Sequence, residues 1–220
     1  MRNHMKMERL ADITGTVRII IFYGVFQFFL LTFLAAYLYP GGYDYFSYYF
    51  SDLGTFTARN GEANSASATL FFIALATISI TLVPFWFGLP RLLSQSRIES
   101  VLSRFGSAIG LICSLLTLGV ALFPMDIQLE IHFVLVLVQF SLFSFAVFLY
   151  SMAILLGRQY PSSYGFLGLA VLAIGIVLMM DPVGPFAALL QKVVVYCYFL
   201  WVGILMHLFR PKDGDDTICQ

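Results

Sequence analysis

Charge is scarce in this chain. Only 11% of its 220 residues are Asp, Glu, Lys or Arg, and the two signs cancel to a formal net charge of zero. Soluble domains carry about a quarter charged residues, so a water-exposed globule is excluded. No basic patch interleaved with aromatics occurs, which sets nucleic acid aside as a partner. Of the three cysteines, Cys113 and Cys197 fall in apolar segments and Cys219 lies near the C-terminal end, so no disulfide framework is implied. The three histidines, His4, His132 and His207, are too dispersed for a histidine-rich zinc centre. There is no Gly-x-Ser-x-Gly elbow and no phosphate-cradling glycine loop. No charged residue sits at mid-depth in any apolar segment, which argues against an ion-coupled transporter. Residues 1–18 lack the short apolar region and small-residue site of a cleaved signal, and are expected to be retained.

What the chain does have is apolar length. Hydrophobic residues make up 60% of it, gathered into segments at 17–39, 68–89, 105–123, 127–156, 164–180 and 186–208. Segments of about 20 residues cross a hydrocarbon core of about 30 Å. The expected fold is therefore all-α: a six-helix transmembrane bundle spanning 17–208, with tails at 1–16 and 209–220 and a long outer loop at 40–67. Asn64 or Ser65 is placed to cap the second helix and Asp126 the fourth, and Pro84 should bend the second. Gly106, Gly110 and Ser114 form a small-residue ridge that lets a neighbouring backbone approach. Gln128, His132 and Gln139 share one face of the fourth helix, which should point inward because lipid offers them no partner.

Orientation follows from the basic residues. Arg2, Lys6, Arg9, Arg18, Arg91, Arg97, Arg104, Arg158, Arg210 and Lys212 fall on one side, and only Arg59 and Lys192 on the other. The positive-inside rule places both termini in the cytoplasm.

The outer loop is the most distinctive stretch. Tyr43, Tyr45, Phe46, Tyr48, Tyr49 and Phe50 crowd into eight positions, as amphipathic rings do at a membrane boundary. Ser51 and Asp52 follow at once. Asp126 and Asp181 lie at the other outer turns, and His132 lies about 9 Å along the fourth helix from Asp126 at 1.5 Å per residue. Ser51, Asp52, Asp126, His132, Asp181 and Lys192 are thus expected to converge on one outer pocket, with Lys192 as the nearest countercharge. Asp52, Asp126, His132 and Asp181 would be the ligands if a divalent cation is bound. Each also has a plain structural reading: Asp52 can tie a turn to its own backbone, Asp126 can cap a helix, and Asp181 can end one before Pro182.

Phe50-Ser51-Asp52-Leu53-Gly54-Thr55, together with Phe123-Pro124-Met125-Asp126 and the His132 that follows, resembles the prokaryotic six-helix family catalogued as domain of unknown function 998. The Ser-Asp-x-Gly-Thr loop is also similar to that of the eukaryotic family of autophagy modulators and GPI-anchor remodelling proteins. The resemblance implies a six-span topology in a prokaryotic plasma membrane and weight on Ser51, Asp52, Asp126 and His132, without an established reaction. A fainter likeness to seven-helix metal-dependent lipid hydrolases supplies an enzyme alternative. The expected function is a multi-pass membrane protein, embedded among membrane lipids, that binds a lipid headgroup, small ligand or cation in an outward-facing acidic pocket. The alternative is a metal-dependent lipid hydrolase using the same pocket. No catalytic residue is assigned.

Overall fold

The computed structural model of the chain is all-helical. It describes the backbone of residues 2–157 and 160–206, and side chains from residue 15 onward. Six long helices follow in order: α1 (Arg2–Tyr37), α2 (Ser65–Leu92), α3 (Arg97–Leu122), α4 (Leu129–Gly157), α5 (Ser162–Met180) and α6 (Ala187–Leu205). A 3-10 helix, Phe50–Gly54, interrupts the loop between α1 and α2. No strand forms among the described residues, only an isolated antiparallel bridge between Thr57 and Ala63. All six helices are long and apolar enough to cross a membrane, α1 from Gly15 onward. Only 28–44% of their most apolar stretches is buried inside the bundle. The remainder presents Phe26, Phe33, Phe87, Phe105, Leu115 and Phe166 outward, a surface that lipid solvates and water does not. The chain is a multi-pass integral membrane protein.

Helices adjacent in sequence pack against one another from α1 through α6, and α6 returns to α1. The closed ring is filled by aromatics: Phe28, Phe85, Trp86, Phe143, Tyr150 and Trp201 are fully buried. Trp86 lies 5.8 Å from Phe143 and 6.0 Å from Tyr150, and Phe143 stacks on Tyr198 at 4.4 Å. The α3 ridge makes room for them. A Cβ on Gly110 would stand 2.2 Å from the Trp86 ring, and one on Gly106 2.8 Å from Tyr150. The ridge therefore seats two rings, where a neighbouring backbone was expected. Ser114 completes it by accepting a hydrogen bond from Trp86 Nε1 at 3.2 Å.

Several helix ends differ from expectation, α1 beginning already at Arg2 and α2 at Ser65, and two starts and one cap have a clear local reason. α3 starts at Arg97, about two turns early, because Ser96 and Glu99 form a capping box: Glu99 N–H donates to Ser96 Oγ at 3.1 Å and Ser96 N–H to Glu99 Oε2 at 3.3 Å. α4 starts at Leu129, so Asp126 does not cap it. The Pro124 carbonyl instead accepts from the N–H groups of Ile127 and Gln128, closing a turn that carries Asp126 away from the helix axis. Asn64 precedes α2 without a side-chain capping bond, because its Nδ2 donates to the carbonyls of Leu53 and Thr55. α2 continues as one helix through Pro84 and Pro90. The side chains of Arg2, His4, Lys6 and Arg9, and residues Arg158, His207, Arg210, Lys212 and Cys219 with the 209–220 tail, lie outside what the structure describes.

Candidate lipid-facing cavity at one end of the bundle

The aromatic loop folds onto the bundle end where α1 stops and α2 begins. Its anchor is Phe50, buried among Phe28, Phe71 and Tyr196 at ring distances of 6.1, 5.2 and 5.5 Å. Gly54 permits the next step, since a Cβ there would lie 2.6 Å from the Phe71 ring. The Tyr43 hydroxyl donates to the Tyr49 carbonyl at 2.8 Å, and burial pushes its pKa up. Tyr45 and Phe46 remain exposed. The loop is thus a folded lid, with only part of its aromatic content left for a membrane boundary.

Asp52 is buried beneath this lid, and its partner is Arg59. Arg59 Nε donates to Oδ1 at 3.1 Å and Nη2 to Oδ2 at 2.8 Å, while the Tyr49 N–H donates to Oδ2 at 2.6 Å. The carboxylate raises the pKa of Arg59 above its ordinary value, chiefly through the hydrogen bond. Arg59 itself is 42% exposed and lies over the Tyr48 ring at 4.9 Å. Lys192, expected as the countercharge, is used otherwise. Its Nζ donates to the Tyr48 carbonyl and lies 5.4 Å from the Tyr43 ring centre. Both cations therefore hold the lid.

The other acids stand apart. Asp126 is exposed, and its Oδ2 accepts from the backbone N–H groups of Phe56 and Thr57 at 2.8 and 3.1 Å, pinning the far side of the lid. Asp181 is exposed as well. Its carboxylate folds over Gly184, whose added Cβ would lie 1.8 Å from Oδ2. Among the described residues, no three His, Cys, Asp or Glu side chains gather where they could hold a metal ion. Of the expected four-ligand set, Asp52, Asp126 and His132 each bond elsewhere, and Asp181 lies over Gly184.

Ser51 and His132 do come together. Both line a cavity of about 170 Å³ between the lid, α4, α5 and α6. Ser51 also borders two smaller voids of about 10 and 40 Å³. The Ser51 hydroxyl donates to Met125 Sδ at 3.7 Å, and Gln191 Oε1 accepts from the Phe50 N–H at 2.8 Å. His132 is 4% exposed, and its Nδ1 lies 2.7 Å from the Phe123 carbonyl at the end of α3. A carbonyl can only accept, so Nδ1 carries the proton. Nε2 is buried and has no hydrogen-bond partner, and in the neutral ring it is a bare acceptor. Apart from Tyr49, Ser51, His132 and Gln191 the lining is apolar. Leu129, Phe133, Leu137 and Val183 both line the cavity and are exposed on the bundle surface. Part of the cavity wall is therefore formed by side chains that also lie on the bundle surface.

Arg59, Gln191 and Met125 were not singled out from the sequence. Arg59 carried a usable signal, as one of just two cations on its side of the charge tally. Met125 carried only its place in the Phe123–Asp126 stretch and Gln191 carried none, because their contacts arise from packing.

The family model described as protein of unknown function (DUF998) matches residues 22–208. No curated protein and no solved structure matches the chain.

Proposed function

The chain belongs to the DUF998 family, and we propose that its six-helix fold binds a membrane amphiphile in the cavity beneath the aromatic lid, in a sensing or structural role. One observation carries this reading: His132 lines a largely apolar cavity and keeps a buried Nε2 acceptor without a partner. Leaving a buried polar atom unpaired costs about 1–3 kcal/mol, a cost that a ligand with the right polar head removes. The surface-exposed wall residues Leu129, Phe133, Leu137 and Val183 suit a ligand arriving from the bilayer, its chain against α4 and α5 and its head toward Ser51 and His132. Asp52, Arg59 and Lys192 hold the lid over the head, Asp126 fixes the lid's far edge, and Asp181 belongs to the turn at the rim. On the basic-residue asymmetry, the lid faces the outer leaflet of a prokaryotic plasma membrane and both termini are cytoplasmic.

The test uses the purified full-length protein in nanodiscs with two photoactivatable probes, each carrying a diazirine in the alkyl chain, one headed by an alcohol and one by a phosphate monoester. Labelling of Val136, Phe140 or Leu178, by either probe and saturable by unlabelled amphiphile, is the expected result. Labelling by neither probe, or only unsaturable labelling of outward residues such as Leu115, overturns the reading.

A further inference from the structure

We propose that the head group this cavity takes is an uncharged hydrogen-bond donor, a free hydroxyl on an alkyl or acyl chain; the inference rests on the amphiphile reading above and narrows it. His132 Nδ1 is committed to the Phe123 carbonyl at 2.7 Å, so Nε2 offers a lone pair and demands a donor. The Ser51 hydroxyl proton is directed at Met125 Sδ, which leaves its oxygen lone pairs as a second acceptor. Gln191 uses its oxygen on the Phe50 N–H, so the polar atom it retains is its amide nitrogen, a donor. The His132 acceptor and the Gln191 donor match a hydroxyl group, which gives one hydrogen bond and accepts others; the hydroxyl of Tyr49, also on the lining, can give or accept.

Charge selects in the same direction. Arg59, Asp52 and Lys192 do not line the cavity. Arg59 and Asp52 are spent on each other, and Lys192 on the Tyr48 carbonyl. A phosphate or carboxylate head would enter a largely apolar site with no cation to meet it, and an unpaired buried charge is strongly penalised. A metal ion would find a single imidazole nitrogen. The remaining surface, including Val136, Phe140, Leu178 and Met179, is suited to the chain alone.

Competition against the photoactivatable alcohol in wild-type protein tests the assignment with three competitors of equal chain length: the alcohol, its methyl ether and its phosphate monoester. The ether keeps the oxygen and loses the proton. The alcohol is expected to compete at least about tenfold better than the ether, because the ether leaves Nε2 unpaired, and better than the phosphate. His132→Phe is expected to level alcohol and ether. Equal competition by alcohol and ether in wild-type protein overturns the hydroxyl assignment while leaving the amphiphile site in place. So does cavity labelling by the phosphate probe in preference to the alcohol. Absence of cavity labelling by any probe removes the site itself.

Discussion

Arg59 grips Asp52, seven positions earlier in the chain, through two hydrogen bonds, Nε to Oδ1 at 3.1 Å and Nη2 to Oδ2 at 2.8 Å. The pair is lopsided: Asp52 is buried, while Arg59 is 42% exposed on its outer side. Solvent screening trims the attraction, yet the bidentate geometry retains much of it. Asp52→Asn and Arg59→Leu should each destabilise the protein by roughly 1–2 kcal/mol, read as a lower detergent melting temperature. The double variant should cost less than the sum of the two, because removing one partner leaves the other unsatisfied. Strict additivity would mean that the contact does not hold the lid.

The Gly110 and Trp86 contact gives a second expectation. Even a methyl group on Gly110 would stand 2.2 Å from the indole, and Trp86 is fully buried with no room to retreat. Gly110→Ala should destabilise by about 1–3 kcal/mol, the usual cost of overpacking. Leu115→Ile, at a side chain 70% exposed to lipid, should leave the melting temperature almost unchanged. Equal effects from the two would place the ridge on the lipid face.

The fold was legible where apolar length alone decides it, and less so where neighbouring turns compete. Six stretches of spanning length identified six helices. The box Ser96–Glu99 stood in the sequence as Ser-x-x-Glu, but the apolar pattern drew attention to the residues after it. Asp126 looked like a cap because Asp before a helix usually is one. The Pro124 turn moved it onto the backbone of Phe56 and Thr57, about 70 positions away in the chain, a contact that no local pattern encodes. At the site, the depth argument grouped Asp52, Asp126, His132 and Asp181, whereas the two candidates that border one cavity are Ser51 and His132. Depth could not foretell that Asp52 and Asp126 would each bond elsewhere, because side-chain direction around the bundle axis is settled by packing. Lys192 illustrates this: its place on the outer side was legible from the charge tally, its bond to the Tyr48 carbonyl was not.

The basic residues set the topology expectation. Reporter fusions after Gln220 and within the 91–104 loop should report a cytoplasmic location, and a fusion in the 40–67 loop an external one. An external C-terminus would invert the bundle and put the lid on the inner leaflet.

The most direct measurement is nitrogen NMR on protein carrying ¹⁵N-labelled histidine in nanodiscs, with His132 assigned by comparison with His132→Phe. The expected spectrum has a protonated Nδ1 and an unprotonated Nε2 in the ligand-free protein, and the Nε2 resonance moves on saturation with the long-chain alcohol but not with its methyl ether. A proton on Nε2 in the ligand-free protein, or an Nε2 resonance indifferent to the alcohol, would contradict the claim that His132 is the acceptor of a membrane amphiphile.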